Sequence, residues 1–230
     1  MRRYFERRRS ELKPVRIPGL VKAVFTATAL ACLPGMAPPA LANGITPPPT
    51  PSAITPPAGN TAFLVGNAVG TQGYVCLPSG TGASWTVNAS RPQATLFFTI
   101  GPFVQQILTH FLSPDTNPNQ FAPSPVPFGS PTWQSSLDSS GVWGNKLASI
   151  TAGTDPSCPT SGAIPCLLLQ AIGSQTGPSG GKFMTITTYI QRLNTIGGSA
   201  PSTGCALSTD VGAQVLVPYT ADYYFYKAQR

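Results

Sequence analysis

Residues 93–112 read QATLFFTIGPFVQQILTHFL, and the folding of this stretch decides the class of the whole chain. Two runs rich in β-branched and aromatic residues flank Gly101-Pro102, a turn-forming pair, so a hairpin is expected. The rival is a short helix, because Val104, Ile107, Leu108, Phe111 and Leu112 also fall at helical spacing. The surroundings favour strands. Similar runs divided by Gly, Pro, Ser and Asn recur at 62–68, 72–77, 83–89, 132–137, 142–151, 166–173, 182–194 and 211–227. In 182–194 the positions Ile186, Tyr189, Ile190 and Leu193 carry the same helical ambiguity, and the run TITTYI tips it towards strand, because β-branched side chains are stiff and fit a pleated surface. The expectation is an all-β, single-domain sandwich or barrel of about 9–11 short, mostly antiparallel strands, with few or no helices beyond the leader.

Outward from this body, the N-terminus reads as an address. Residues 1–22 are basic, 23–33 are apolar, and Pro34-Gly35 leads to Ala40-Leu41-Ala42. That order is a secretory signal peptide with cleavage after Ala42, and its apolar run is shorter than the roughly 20 residues a membrane span needs. Arg8-Arg9 approximates a twin-arginine signal, although Glu11 stands where a bulky apolar residue is usual, so general and twin-arginine export both stay open. Cys32 sits in a poor lipoprotein box. The expected organisation is a signal peptide at 1–42, a Pro-rich spacer at 43–58 with two copies of ITPP, and a β-rich domain at 59–230 that is secreted or periplasmic.

The formal charge of +7 belongs mostly to that leader. Eight of the 14 basic residues and two of the seven acids lie before residue 23, which leaves +1 for the rest. Six scattered cations cannot form the clustered footprint that neutralises phosphates, so no nucleic-acid partner is expected. Nor is a stable membrane span in the mature chain.

Beyond the leader stand Cys76, Cys158, Cys166 and Cys205, an even count in an exported chain. Three pairings are possible. A local Cys158–Cys166 bridge around a short Pro- and Gly-containing segment, with a long-range Cys76–Cys205 bridge, is the expected one. Zinc is the competing use, but no Cys-x-x-Cys pair exists, and no metal is expected.

Few catalytic kits survive the composition. One histidine, His110, and five aspartates remain after the leader, with no glutamate. A multi-histidine metal site is impossible. His110 could act as a base with Asp138 in a hydrolase-like enzyme, since its ordinary pKa lies near neutrality, although a lone histidine on a strand is more often structural. Gly177-Pro178-Ser179-Gly180-Gly181 satisfies the nucleophile-elbow pattern, but His110 precedes it, against the chain order of α/β hydrolases. The order His110, Asp138, Ser179 matches chymotrypsin-like proteases, yet the flanking residues do not, and a Ser/Gly loop accounts for 174–181. No dinucleotide fingerprint or phosphate-binding lysine loop occurs, so no cofactor is expected. Aromatic residues are the richer supply. Trp133, Trp143, Tyr219 and Tyr223, with Gln191 and Arg192 as polar groups, could line a site for a carbohydrate or small apolar ligand, although strand aromatics usually form core.

Several segments then follow in a specific order: GTQGYVC at 70–76, THF at 109–111, PTW at 131–133, DSSGVWG at 138–144, TYIQRLNTIGG at 188–198 and VPYTADY at 217–223. Together they resemble a family of exported proteins of unknown function shared by bacteria and filamentous fungi, some of whose fungal members carry a "malate dehydrogenase" label. The resemblance spans about residues 55–227. It implies a shared fold and export, and it supports the Cys76–Cys205 bridge, whereas Cys158 and Cys166 look like an addition of this chain. The dehydrogenase label is rejected for this chain, which lacks a dinucleotide-binding fingerprint and a βαβ pattern. The expected function is a disulfide-stabilised binding module for an envelope or extracellular carbohydrate or small apolar ligand. The alternatives are the His110–Asp138 enzyme and a structural cell-envelope component.

Overall fold

The hairpin at the centre of the sequence exists. In the computed structural model, which describes residues 44–112 and 130–229, β2 (Gly82–Ile100) and β3 (Phe103–Leu112) pair antiparallel from Ile100↔Phe103 to Ala94↔His110. Gly101 takes φ 56° in the turn, a conformation that suits glycine. The expected leader, its cleavage point and Asp115 lie outside the described residues.

The other strands are β1 (Asn60–Ser79), β4 (Pro131–Ser135), β5 (Gly141–Ile150), β6 (Cys166–Gln175), β7 (Thr187–Gly197) and β8 (Gln214–Ala228). Each pairs antiparallel with the next in sequence, and β8 returns to pair with β1, closing the sheet into a barrel. The all-β reading holds, and the described helical content is confined to two 3₁₀ turns, Ser52–Ile54 and Ser208–Asp210. The first two strands are longer than the punctuation of the sequence suggested, whereas β4, β7 and β8 are shorter than the runs at 132–137, 182–194 and 211–227. Segments 62–68 and 72–77 form one strand: Gly70, between them, stays paired with Ala94 and Tyr219, and the register shift against β2 falls later, between Gln72 and Tyr74. Segments 83–89 and 93–100 likewise join in β2.

Alternation along β8 decides what lies inside. Tyr219, Ala221, Tyr223 and Phe225 are buried with Leu64, Leu96, Leu108, Trp133, Val142, Leu169 and Ile190 in one core cluster. A second cluster of Ile54, Cys158, Cys166, Leu168 and Leu193 lies on the other face of β6 and β7, as the neighbours Leu168 and Leu169 show by falling in different clusters. The Pro-rich segment is therefore a strap rather than a free spacer. Ile54 is fully buried, and its carbonyl accepts from Gln191 Nε2 at 2.7 Å.

Both expected disulfides form. Cys76–Cys205 joins β1 to the β7–β8 connection, and Cys158–Cys166 clips the loop before β6, with Cα separations of 5.6 and 6.0 Å. Thr195 Oγ1 lies 3.5 and 3.6 Å from the sulfurs of Cys158 and Cys166 and donates to the Ile164 carbonyl. Among the described residues, no helix is long and apolar enough to cross a membrane, and no group of three or more His, Cys, Asp and Glu side chains is placed to hold a metal ion.

Candidate functional site

One row of residues in register crosses most of the barrel: Tyr219 of β8, Gly70 of β1, Ala94 of β2, His110 of β3, Trp133 of β4 and Val142 of β5. A common row means a common face, so the histidine and the aromatic residues meet inside. His110, 4% exposed, stacks on Trp133 with ring centres 4.4 Å apart and planes 6° from parallel, and Tyr223 lies 5.6 Å from it. Its Nδ1 is 2.9 Å from the Thr132 carbonyl oxygen. A carbonyl only accepts, so Nδ1 carries the hydrogen and Nε2 the lone pair. Burial pushes the imidazole pKa down to about 4, the Thr132 bond opposes this, and the Arg192 charge adds to the depression. His110 is therefore neutral at pH 7.

Arg192 shares that interior. It is in register with Tyr223, is 8% exposed, and donates from Nε and Nη2 to the Pro165 carbonyl at 3.2 and 2.7 Å. Tyr219 and Tyr223 join through their hydroxyls at 3.1 Å. Burial, then the neighbouring Tyr223, raises the Tyr219 pKa well above its ordinary value. Tyr74, which the sequence reading did not single out as a site residue, points its hydroxyl to the Gly198 carbonyl at 2.7 Å and also feels the Arg192 charge. Its arrival depends on the register shift after Gln72, for which the sequence holds only an ambiguous glycine signal.

Asp138 serves another structure. In the turn between β4 and β5, its Oδ1 accepts from the Ser140 N–H at 3.1 Å and hydroxyl at 2.7 Å, and its Oδ2 accepts from the Phe183 N–H at 2.9 Å. Desolvation raises its pKa, but the Phe183, Ser140 and Ser135 hydrogen bonds outweigh this and hold it at about 2. Ser140 Oγ in turn accepts from the Met184 N–H at 2.9 Å. The GPSGG turn packs on this clasp: a side chain at Gly177 would strike the Asp138 carbonyl, and one at Gly181 would strike its carboxylate. Close approach explains those glycines, and Ser179 is exposed on the turn. His110 and Asp138, paired in the enzyme expectation, thus have separate partners, and no hydrogen bond joins them among the described residues.

The remaining expected ligand contacts are dispersed. Gln191 faces the strap, holding Ile54 through Nε2 and accepting from the Tyr226 hydroxyl at 2.6 Å. Trp143 is buried outside both core clusters, and its Nε1 has no hydrogen-bond partner among the described residues. Trp133, Tyr219 and Tyr223 are core residues rather than an exposed stacking platform.

A groove of ≈ 410 Å³, open to solvent, is centred on the Gly70–Ala94–His110 row where β1, β2 and β3 run together. Its lining also includes Val69, Thr71, Gln93, Thr95, Thr109 and Phe111. Because Ala94 and His110 are buried, the more exposed residues flanking them form the accessible surface of the groove. Sequence reasoning missed this groove because its polar residues are scattered over three strands.

A family model described as "Protein of unknown function (DUF3455)" matches residues 57–227. No curated protein and no solved structure gives a match.

Proposed function

We propose a function from the site itself, because the chain belongs to this DUF3455 family of unknown function and the family description names no activity. The protein is an exported binding module whose groove across β1, β2 and β3 takes a neutral carbohydrate. The observation that carries this reading is the composition of the groove. Thr71, Gln93, Thr95 and Thr109 supply hydroxyl and carboxamide groups that both donate and accept, as sugar hydroxyls require, and none of the lining residues carries a full charge at pH 7. Val69 and Phe111 add apolar surface for the C–H faces of a pyranose ring. The volume falls within the few hundred Å³ of ordinary ligand sites, and paired strands hold the lining with little ordering cost on binding.

Export is part of the reading. Residues 1–42 have the order of a signal peptide, and two disulfides suit an oxidising compartment. Fractionation of cells expressing the full chain, followed by mass analysis of its N-terminus, tests this; retention of an uncleaved chain in the cytoplasm counts against it. For the site, the protein is applied to a panel of neutral poly- and oligosaccharides, and hits are followed by calorimetry with Gln93→Ala and Phe111→Ala. The expected result is saturable binding weakened about tenfold or more by either change, the equivalent of one good contact. Uniformly absent binding, or binding indifferent to both substitutions, overturns the proposal.

A further inference from the structure

We propose that the groove continues along β1 into a second subsite, so that the ligand is a linear chain of neutral sugars and not a single unit. The inference rests on the carbohydrate reading of the groove and adds the length and direction of what it takes.

A second depression, of ≈ 230 Å³, is lined by Gly73, Tyr74, Asn88, Gln214, Val215 and Leu216. Register places it on the face that carries the groove. Val69, Thr71 and Gly73 pair with Thr220, Pro218 and Leu216 of β8 without a shift, and on β8 the even-numbered positions from 214 to 220 are the exposed ones. Side chains two residues apart share a face, so Gln214 and Leu216 stand on the same surface as Val69 and Thr71. The pairing of β1 with β2 explains why a depression forms there. Gln72 is opposite Pro92 and Tyr74 is opposite Val87, so Gly73 alone faces residues 88–91 of β2, and the ladder is interrupted beside a residue with no side chain.

Both depressions offer the same chemistry. Asn88 and Gln214 bring carboxamides, which donate and accept as Gln93 does in the groove, and Leu216, 47% exposed, brings apolar surface as Val69 does. Tyr74 spends its hydroxyl on the Gly198 carbonyl, and burial raises its pKa, so it adds no charge at pH 7. Gly70 at the centre of the groove and Gly73 in the second depression are three residues apart, roughly 10 Å at the rise of a strand. One pyranose ring does not cover that span, whereas a short chain laid along β1 does. A ligand that fills both depressions gains the second set of contacts without a second loss of translational freedom, so affinity should rise with chain length and then level off.

Calorimetry with the exported protein tests this on malto-, cello-, xylo- and chito-oligosaccharides, each series run from the monosaccharide to the hexasaccharide. Ligands too short to give heat are ranked by competition against the longest. In the series that binds, affinity should rise about tenfold or more with length before levelling off. Gln214→Ala and Leu216→Ser, each at an exposed position, should weaken the hexasaccharide several-fold and leave the shortest bound sugar unchanged, whereas Gln93→Ala should weaken both. Either variant supplies the comparison if the other does not fold. Absence of binding at every length overturns the carbohydrate reading and this inference with it. Binding that is independent of length, or that Gln214→Ala and Leu216→Ser leave unchanged or weaken equally at every length, overturns the second subsite alone.

Discussion

The Asp138 clasp and the Arg192 interior are both small polar constellations in an otherwise apolar barrel, and their hydrogen bonding differs in kind. In the clasp, each oxygen of the Asp138 carboxylate meets a donor, and the serine it holds passes the chain on to Met184. In the interior, Arg192 spends its Nε and Nη2 donors on one carbonyl, that of Pro165, the Tyr219 and Tyr223 hydroxyls meet each other, and the buried Trp133 Nε1 has no partner among the described residues. A complete network explains itself as structure, because buried polar groups are normally paired. An incomplete one needs a further reason to exist. On this comparison Asp138 is a structural carboxylate, against what an acid–base reading of the composition suggests.

The largest expected effect separates the two by pH. His110 belongs to the interior, and its folded pKa of about 4 lies below its ordinary 6.5. Its contribution to stability is therefore complete above about pH 6.5 and is lost as pH falls towards 4, amounting to about 3 kcal/mol over that window. Asp138, held at about 2, contributes above its ordinary value near pH 4 and is lost only below that. Urea unfolding at about pH 7 and about pH 4 should show a drop that His110→Phe removes, while His110→Phe itself costs about 1 kcal/mol at pH 7 through the lost donor to Thr132. A drop of equal size in the variant assigns the loss to other groups and breaks the comparison.

Next in size is the clasp. Asp138→Ala strips the acceptor from the Phe183 and Ser140 N–H groups and from the Ser140 hydroxyl, and Ser140 is fully buried. The expected loss is about 2 kcal/mol at pH 7, with Asp138→Asn losing less because one oxygen remains. Denaturant midpoints at constant slope measure it. A loss below about 0.5 kcal/mol for Asp138→Ala would remove the claim that this network is structural.

What the sequence disclosed follows the reach of each signal. The Gly101-Pro102 hairpin and the alternation of β8 are local, set by turn chemistry and period-two patterning, and both were readable. Cysteine parity beyond the expected leader, with the short spacing of Cys158 and Cys166, likewise led to both bridges. Closure of β8 onto β1 was not readable, because no local feature encodes a pairing so distant along the chain. Gly70 looked like a break between two runs where the structure has one continuous strand. His110 and Asp138 looked like partners because chain order carries no distance, and Trp133 and Trp143 looked alike although only Trp133 joins the core cluster.

Smaller still is the expected cost of removing the interior charge. Arg192→Met relieves a buried cation and deprives Pro165 of two donors, so these terms oppose and the net change should stay within about 1 kcal/mol. Against Asp138→Ala, this gives the comparison its sharpest form: the charge that holds structure costs more to remove than the charge that does not. A loss of several kcal/mol on Arg192→Met would mean that the Pro165 contact closes the barrel and that Arg192 is a strut.

The smallest effect is predicted at Ser179. Its motif invites a nucleophile, yet the glycines around it have a steric reason, since Gly177 and Gly181 lie against the Asp138 carbonyl and carboxylate, and the serine is exposed on the turn. Surface changes away from such contacts usually move stability by less than about 0.5 kcal/mol, so Ser179→Ala should leave unfolding unchanged within that margin. Gly177→Ala, two residues away, should open the clasp and lower stability towards the level of Asp138→Ala. A serine-reactive phosphonate should not label the parent protein. Labelling that disappears in Ser179→Ala would restore the nucleophile and turn the clasp into the support of a catalytic turn; its absence, together with the Gly177→Ala loss, assigns the glycines of GPSGG to packing against Asp138.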